Sequence, residues 1–130
     1  MNFSTRKWVK PEDLNPNESL FGGKLLAWID EEAALYTIIQ LENPRVVTKH
    51  MSEINFMSSA KQGDIIELGI EVVKFGNTSL VLKCEARNKM TREKILSVDA
   101  ITMVNLDENG KPKPHGKTKV EYVEDRIKNL

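Results

Sequence analysis

Residues 15–41 read NPNESLFGGKLLAWIDEEAALYTIIQL, and their reading decides the fold. Asn15, Pro16, Asn17 and Ser19 mark an irregular loop. After Gly22 come Leu25, Leu26, Trp28, Ile29, Leu35, Ile38, Ile39 and Leu41. On a 3.6-residue wheel they cover nearly every direction, which predicts a long helix buried on most faces. Asn43-Pro44 stops it, because a residue before proline is pushed out of the helical region. The expected helix therefore runs from Gly22 to about Leu41, and it carries a charge, Asp30, two turns in.

Outward from this helix the pattern turns to strands. Phe3 to Val9 mixes aromatic, β-branched and basic residues before Pro11 and reads as a short strand. Residues 45–58, 65–75 and 94–106 are strand-like. In 78–87 the alternation is clean, with Leu80, Leu82, Cys84 and Ala86 on one face and Ser79, Val81, Lys83 and Glu85 on the other. Turns are expected at Lys61–Asp64, at Gly76-Asn77 and at Asn88–Arg92. The expected order is one strand, one long helix, then four strands in meander, antiparallel throughout. Such a set has one economical α+β solution, a sheet wrapped around the helix and shielding it on most sides. Residues 1–118 form the expected domain, and 119–130 a tail in which Val120 to Leu130 is a candidate short helix.

The 130 residues are 40% hydrophobic, enough for one domain with a real core. Nineteen basic and nineteen acidic residues cancel. No net field exists to concentrate a polyanion, so nucleic acid is not the expected partner. Cys84 is the sole cysteine, which excludes an internal disulfide and fits a reducing compartment. It is expected to pack as a small hydrophobe. The first residues lack the apolar core of a signal peptide and no eighteen apolar residues run together, so a cytoplasmic protein away from the membrane is expected. His50 and His115 have no cysteine or carboxylate at ligand spacing, so no metal is expected. Trp8 and Trp28 read as core or interface.

Asp30 has two readings. Asp30-Glu31-Glu32 can be the solvent stripe of the helix. Alternatively Gly23, Ala27, Asp30 and Ala34, spaced four, three and four apart, form one smooth face around a single carboxylate. Drawn into such a groove without hydrogen bonds, a carboxylate has a raised pKa and suits general-base work. Gly22 and Gly23 are likewise either a simple turn or a helix start whose free N–H groups can bind an oxyanion. Seven residues separate Gly23 from Asp30, roughly 10 Å of helix. One helix cannot bring both to one carbonyl carbon, so joint action requires two copies of the chain in a two-fold dimer.

Asn15, Phe21-Gly22-Gly23, Leu25-Leu26, Trp28-Ile29-Asp30-Glu31 and Ala33-Ala34 together resemble the helix motif of the hotdog-fold acyl-CoA thioesterases, in the branch of cytoplasmic acyl-CoA hydrolases. The resemblance continues through Val46-Val47-Thr48, Phe56, Gly63-Asp64 and Gly76-Asn77-Thr78-Ser79. It implies a hotdog fold, a long central helix wrapped by five to six antiparallel strands. It also implies dimers joined edge to edge, often gathered as hexamers, that hydrolyse acyl-CoA to a free acid and CoA. No cofactor is implied, since coenzyme A is part of the substrate. By this resemblance Asp30 is the catalytic carboxylate, Asn15 its companion from the facing subunit, and Gly22 or Gly23 the amide donor. Gly76, Asn77, Thr78 and Ser79 would lie beside the CoA pantetheine and phosphates. Water activated by Asp30 and direct attack by Asp30 both remain open.

Cations are expected near the nucleotide. Arg87, Lys89 and Arg92 are candidates, or else solvated turn residues, and the tail KPKPHGK could instead fold over the nucleotide. The chain departs from the family at Glu18, where glycine is common. A bulky anion there would alter the loop bearing Asn15 or shape the acyl pocket. Two rivals stand beside hydrolysis. A hotdog dehydratase needs a histidine base, and neither histidine lies at the helix start. A non-catalytic acyl-CoA sensor usually brings a DNA-binding module, for which 130 residues leave no room.

Overall fold

The computed structural model describes residues 1–128 and Leu130. Strand β1 spans Asn2–Trp8, helix α1 Gly22–Leu41, β2 Val46–Phe56, β3 Ile65–Phe75, β4 Ser79–Asn88, β5 Lys94–Asn105 and a short helix α2 Val123–Lys128. The five strands form one antiparallel sheet in the order β1-β3-β4-β5-β2, curved around α1. This is the expected hotdog arrangement with five strands.

The four-strand meander is corrected. Only β3, β4 and β5 are consecutive neighbours, while β2 pairs with β5 at the far edge. The link between β2 and β3 has hairpin length but crosses the end of the sheet. Met57 N–H bonds the Ile95 carbonyl at 2.8 Å, Leu20 N–H the Ala60 carbonyl at 2.8 Å, and Val9 N–H the Asp64 carbonyl at 3.0 Å. Those bonds carry the link from the β5 side to β1 and pin the loop before α1 beneath it.

Burial of α1 is also corrected. One stripe, Leu25, Ile29, Ala33, Thr37 and Gln40, is buried. It packs against the inward side chains Ile66, Leu68, Leu80, Leu82, Cys84, Leu96, Val98, Ile101 and Met103. Leu35 and Ile39 are exposed. A five-stranded sheet is wide enough to cover one face of a helix, and Leu26, Trp28, Ala34 and Tyr36 beside that face are only partly buried. Thr37 sits in the core without penalty because its hydroxyl donates to the Ala33 carbonyl at 2.8 Å.

Glu42 caps α1 in the left-handed region, φ 54°. Beyond it, the Asn43 side chain donates to Asn105 Oδ1 and to the Leu106 carbonyl at 2.7 and 2.9 Å. The tail docks here. Gln40 Nε2 donates to the Glu121 carbonyl at 2.9 Å, and Glu121 N–H donates back to Gln40 Oε1 at 3.0 Å. Helix α2 begins at Val123, three residues after the expected start, and Asn129 lies outside the described residues. Trp8 is 67% exposed, which removes it from the core, and its indole N–H donates to the Gly63 carbonyl. Trp28 packs half-buried against the core. Among the described residues no helix is long and apolar enough to cross a membrane.

Candidate active site

Asp30 lies on the flank of α1 that faces β2, and it is exposed. Thr48, projecting inward from β2, donates its hydroxyl to Asp30 Oδ1 at 2.5 Å and lies 3.4 Å from the Met103 sulfur. Among the described residues the second oxygen, Oδ2, has no protein donor. One oxygen is therefore oriented by a short charge-assisted bond while the other faces open space. Of the small residues expected to flank Asp30, Gly23 and Ala27 are exposed and Ala34 is half-buried.

Sheet register ties a second element to this end. Thr48 pairs with Met103, which pairs with Leu80, and the adjacent row is Val47, Val104 and Ser79. The Gly76–Ser79 turn thus leads into a strand two places from Thr48 in the sheet, roughly 10 Å at ordinary strand spacing. Gly76 N–H bonds the Ser79 carbonyl at 2.9 Å, and a side chain at Gly76 would run into the Ser79 hydroxyl. The tail folds over this turn. His115 N–H reaches the Asn77 carbonyl at 3.2 Å and Asn105 N–H the Thr78 carbonyl at 2.8 Å. Lys117 N–H donates to His115 Nδ1 at 3.0 Å, so Nε2 carries the proton and donates to the Ser79 carbonyl at 2.8 Å.

The glycine pair opens the helix. Phe21 is the N-cap and supplies no side-chain bond to the free N–H groups. Phe21 N–H bonds the Asp13 carbonyl, and the N–H groups of Lys24 and Leu25 both turn back to the Phe21 carbonyl. Among the described residues nothing accepts from the Gly22 and Gly23 amides at the positive end of the helix. Asn15 stands in the loop just before them. Its Oδ1 accepts Asn17 N–H at 2.9 Å, Ser19 N–H at 3.2 Å and the Ser19 hydroxyl at 3.3 Å. Those bonds fix the loop through Oδ1, and among the described residues the Nδ2 donors make no bond. Glu18 occupies the left-handed region, φ 60°, with its N–H on the Asn15 carbonyl at 3.0 Å. The backbone here has the conformation that glycine adopts without strain, and glutamate has been fitted to it.

Two clusters result. One joins Asp30 and Thr48; the other sets Asn15 in the loop before Gly22 and Gly23. The length of helix between Gly23 and Asp30, roughly 10 Å, keeps them apart within a chain.

Arg87 and Lys89 fall in neither cluster as free cations. Both close on Glu67, whose side chain is 2% exposed: Arg87 Nε at 2.5 Å and Lys89 Nζ at 3.3 Å, with Arg92 at 3.6 Å. The Arg87 guanidinium also stacks on the Phe3 ring, 3.6 Å from its centre. Burial alone would push the Glu67 carboxyl up. Hydrogen bonds from Arg87 and Lys89, reinforced by their charge, outweigh it and hold the pKa below the ordinary value. The cations expected at the nucleotide are thus engaged by an internal carboxylate. Cys84 is fully buried, and burial first, then Glu32 and Glu85, pushes its thiol up to about 12, so it packs as expected. Among the described residues no three His, Cys, Asp or Glu side chains converge as a metal site would require.

Thr48 is the site residue that pattern reading passed over as a strand former. Its signal lay in the alternation of Val46 and Thr48, which sets both on the face towards α1.

Residues 17–95 match the Thioesterase superfamily. An uncharacterized acyl-CoA thioester hydrolase of Bacillus subtilis is 34% identical over 109 residues, 82% of this chain and 63% of that protein. The chain therefore spans less than two thirds of that relative's length. Among solved structures, an apo-hexameric acyl-CoA thioesterase superposes with a TM-score of 0.78 at 36% identity, over 95% of this chain and 80% of the other. The Staphylococcus aureus acyl-CoA hydrolase, solved with butyryl coenzyme A and coenzyme A, gives 0.77 at 28% identity, over 97% and 76%. That hydrolase has also been solved with an aspartate and with an asparagine changed to alanine, at positions fifteen residues apart.

Proposed function

The chain belongs to the thioesterase superfamily, and from that premise we propose that it hydrolyses acyl-CoA thioesters to a free acid and CoA, in a site shared by two subunits. The carrying observation is the state of Asp30. Thr48 holds one carboxylate oxygen at 2.5 Å and leaves the other open at the surface. That is the arrangement a general base needs, oriented yet able to take a proton. The separation of Asn15 from Asp30 equals that between the two residues replaced in the Staphylococcus aureus hydrolase, which supports pairing them here.

In this reading Asp30 Oδ2 removes a proton from a water whose oxygen accepts a bond from Asn15 Nδ2. The hydroxide attacks the thioester carbonyl carbon. The Gly22 and Gly23 amides bind the carbonyl oxygen as it gains charge, each such donor being worth about 3 kcal/mol of barrier. Collapse of the tetrahedral intermediate expels the CoA thiolate, a good leaving group that needs little protonation. Asp30, Thr48 and the Gly76–Ser79 turn come from one subunit, Asn15 and the glycine amides from its mate. Strand β2 suits this pairing because it is a sheet edge with Val47 and Ile54 exposed. A homodimer is the minimal active unit, assembling further into a hexamer as its structural relative does.

Release of free thiol from a panel of acyl-CoAs tests the activity, and subunit mixing tests the sharing. Asp30→Asn chains and Asn15→Ala chains are each nearly inactive alone. Co-refolded, they give mixed dimers with one intact site, restoring about a quarter of wild-type turnover. No recovery in dimers shown to be mixed would place both residues in one subunit's site and remove the shared-site reading.

A further inference from the structure

Resting on the thioesterase reading, we propose that Phe21 and Phe56 grip the first carbons of the acyl chain beside the thioester carbonyl, and so determine which acyl groups this site accepts.

The two rings are paired with the two amide donors. A methyl group built on Gly22 would meet Phe56 Cε1 at 3.0 Å and Cζ at 3.3 Å. One built on Gly23 would meet Phe21 Cε1 at 2.9 Å and Cδ1 at 3.3 Å. Each ring therefore rests directly on one glycine, and only glycine leaves room for it. Despite this close seating, Phe21 is 52% and Phe56 59% exposed. Burying a phenyl ring is strongly favourable, so two half-bare rings bordering unspent donors offer an apolar wall to whatever binds those donors.

The covalent geometry of a thioester selects the group that meets the wall. With the carbonyl oxygen on the Gly22 and Gly23 amides, the acyl α-carbon and the sulfur lie one bond from the carbonyl carbon, on opposite sides. The sulfur leads into pantetheine, whose amides need hydrogen-bonding partners that phenyl faces do not supply. The acyl chain is the apolar arm. Phe21 is set by the helix cap and Phe56 by the last residue of β2, so both are positioned by backbone that the crossing link to β3 holds down. The rings act on the first carbons rather than on the end of the chain, because they touch the very residues that bind the carbonyl.

The test measures kcat and KM for acetyl-, propionyl-, butyryl-, hexanoyl- and isobutyryl-CoA with the wild type, Phe56→Ala, Phe21→Ala and the conservative Phe56→Leu, with thermal melting as the folding control. In the wild type kcat/KM should rise about fourfold per methylene over the first carbons, as burial of a methylene predicts, and isobutyryl-CoA should be disfavoured against butyryl-CoA. Phe56→Ala should flatten the rise to under twofold and improve the isobutyryl-to-butyryl ratio about tenfold; Phe56→Leu, keeping an apolar wall, should preserve most of the rise. Uniform scaling of all five substrates in the alanine variants would overturn the proposal and assign the rings to pantetheine or to the fold. A wild type inactive on these five and on long-chain acyl-CoAs alike would instead remove the thioesterase reading beneath it.

Discussion

Asp30 and Glu67 are both carboxylates in elements rich in apolar residues, yet the fold gives them opposite circumstances. Asp30 is exposed and held through one oxygen by one neutral hydroxyl. Glu67 is 1% exposed and lies under three cations. The first keeps one oxygen open. The second has its charge neutralised and its proton excluded. A carboxylate prepared for chemistry is lightly held, and one prepared for stability is saturated. Each change below breaks or sharpens that contrast.

The largest effect falls on Asp30. Asp30→Asn keeps the shape and the acceptor for Thr48 but removes the base. Turnover should fall at least a thousandfold, about 4 kcal/mol of barrier, with the melting temperature moving little because the side chain is exposed. A variant retaining even a third of wild-type thiol release would exclude Asp30 from the reaction.

Glu67→Gln should do the reverse. Arg87 and Lys89 lose a charged acceptor, at a cost of about 2 kcal/mol in urea unfolding, while turnover per folded molecule stays near wild type. The pH dependence carries the sign of the effect. Folding lowers the Glu67 pKa below its ordinary 4.5, so the stabilisation is fully present above that value and is lost as pH falls through the folded pKa. The stability gap between wild type and Glu67→Gln should be constant from neutral pH down to about 5 and close below it. Lys89→Ala adds a sharper distinction. If Lys89 also served the nucleotide, its loss would raise KM for acyl-CoA and leave an acyl-pantetheine lacking the nucleotide untouched.

Much of this contrast was hidden from pattern reading, for physical reasons. The ends of α1 were legible because Gly22-Gly23 and Asn43-Pro44 act locally, and the inward face of β4 because alternation is local too. The place of β2 was not, since an eight-residue link reads alike whether it turns back or crosses the sheet. Glu67 sits in the run IIELGI, where it reads as one outward residue of a strand. Its meeting with Arg87 depends on the pairing of β3 with β4. Of the site, Asp30 and the glycine pair stood out as breaks in an apolar helix. Thr48 did not, because threonine in a β-branched run breaks nothing until the helix is laid against it.

Thr48 tests how lightly Asp30 is held. Thr48→Val preserves the shape of the strand and removes one hydrogen bond to a charged oxygen. The freed carboxylate samples more rotamers, so kcat should fall about tenfold, roughly 1.4 kcal/mol, with KM little changed. A drop as large as that of Asp30→Asn would mean that Thr48 itself touches the reacting atoms.

The smallest effect belongs to a third carboxylate, Glu18, which is neither saturated nor oriented. It is exposed, makes no ion pair among the described residues, and holds φ at 60°. An L residue there carries a strain of about 1–2 kcal/mol, which glycine would relieve. Glycine also gives the unfolded chain extra freedom, offsetting roughly 0.5–1 kcal/mol. Glu18→Gly should therefore raise stability by no more than about 1.5 kcal/mol, read as a melting temperature a few degrees higher. The two readings of Glu18 separate in a second measurement. If its charge only burdens the loop that carries Asn15, the acyl-chain profile stays unchanged while the melting temperature rises. If the side chain shapes the acyl pocket, the profile shifts towards bulkier groups along with it, and Glu18 joins the residues that choose the substrate.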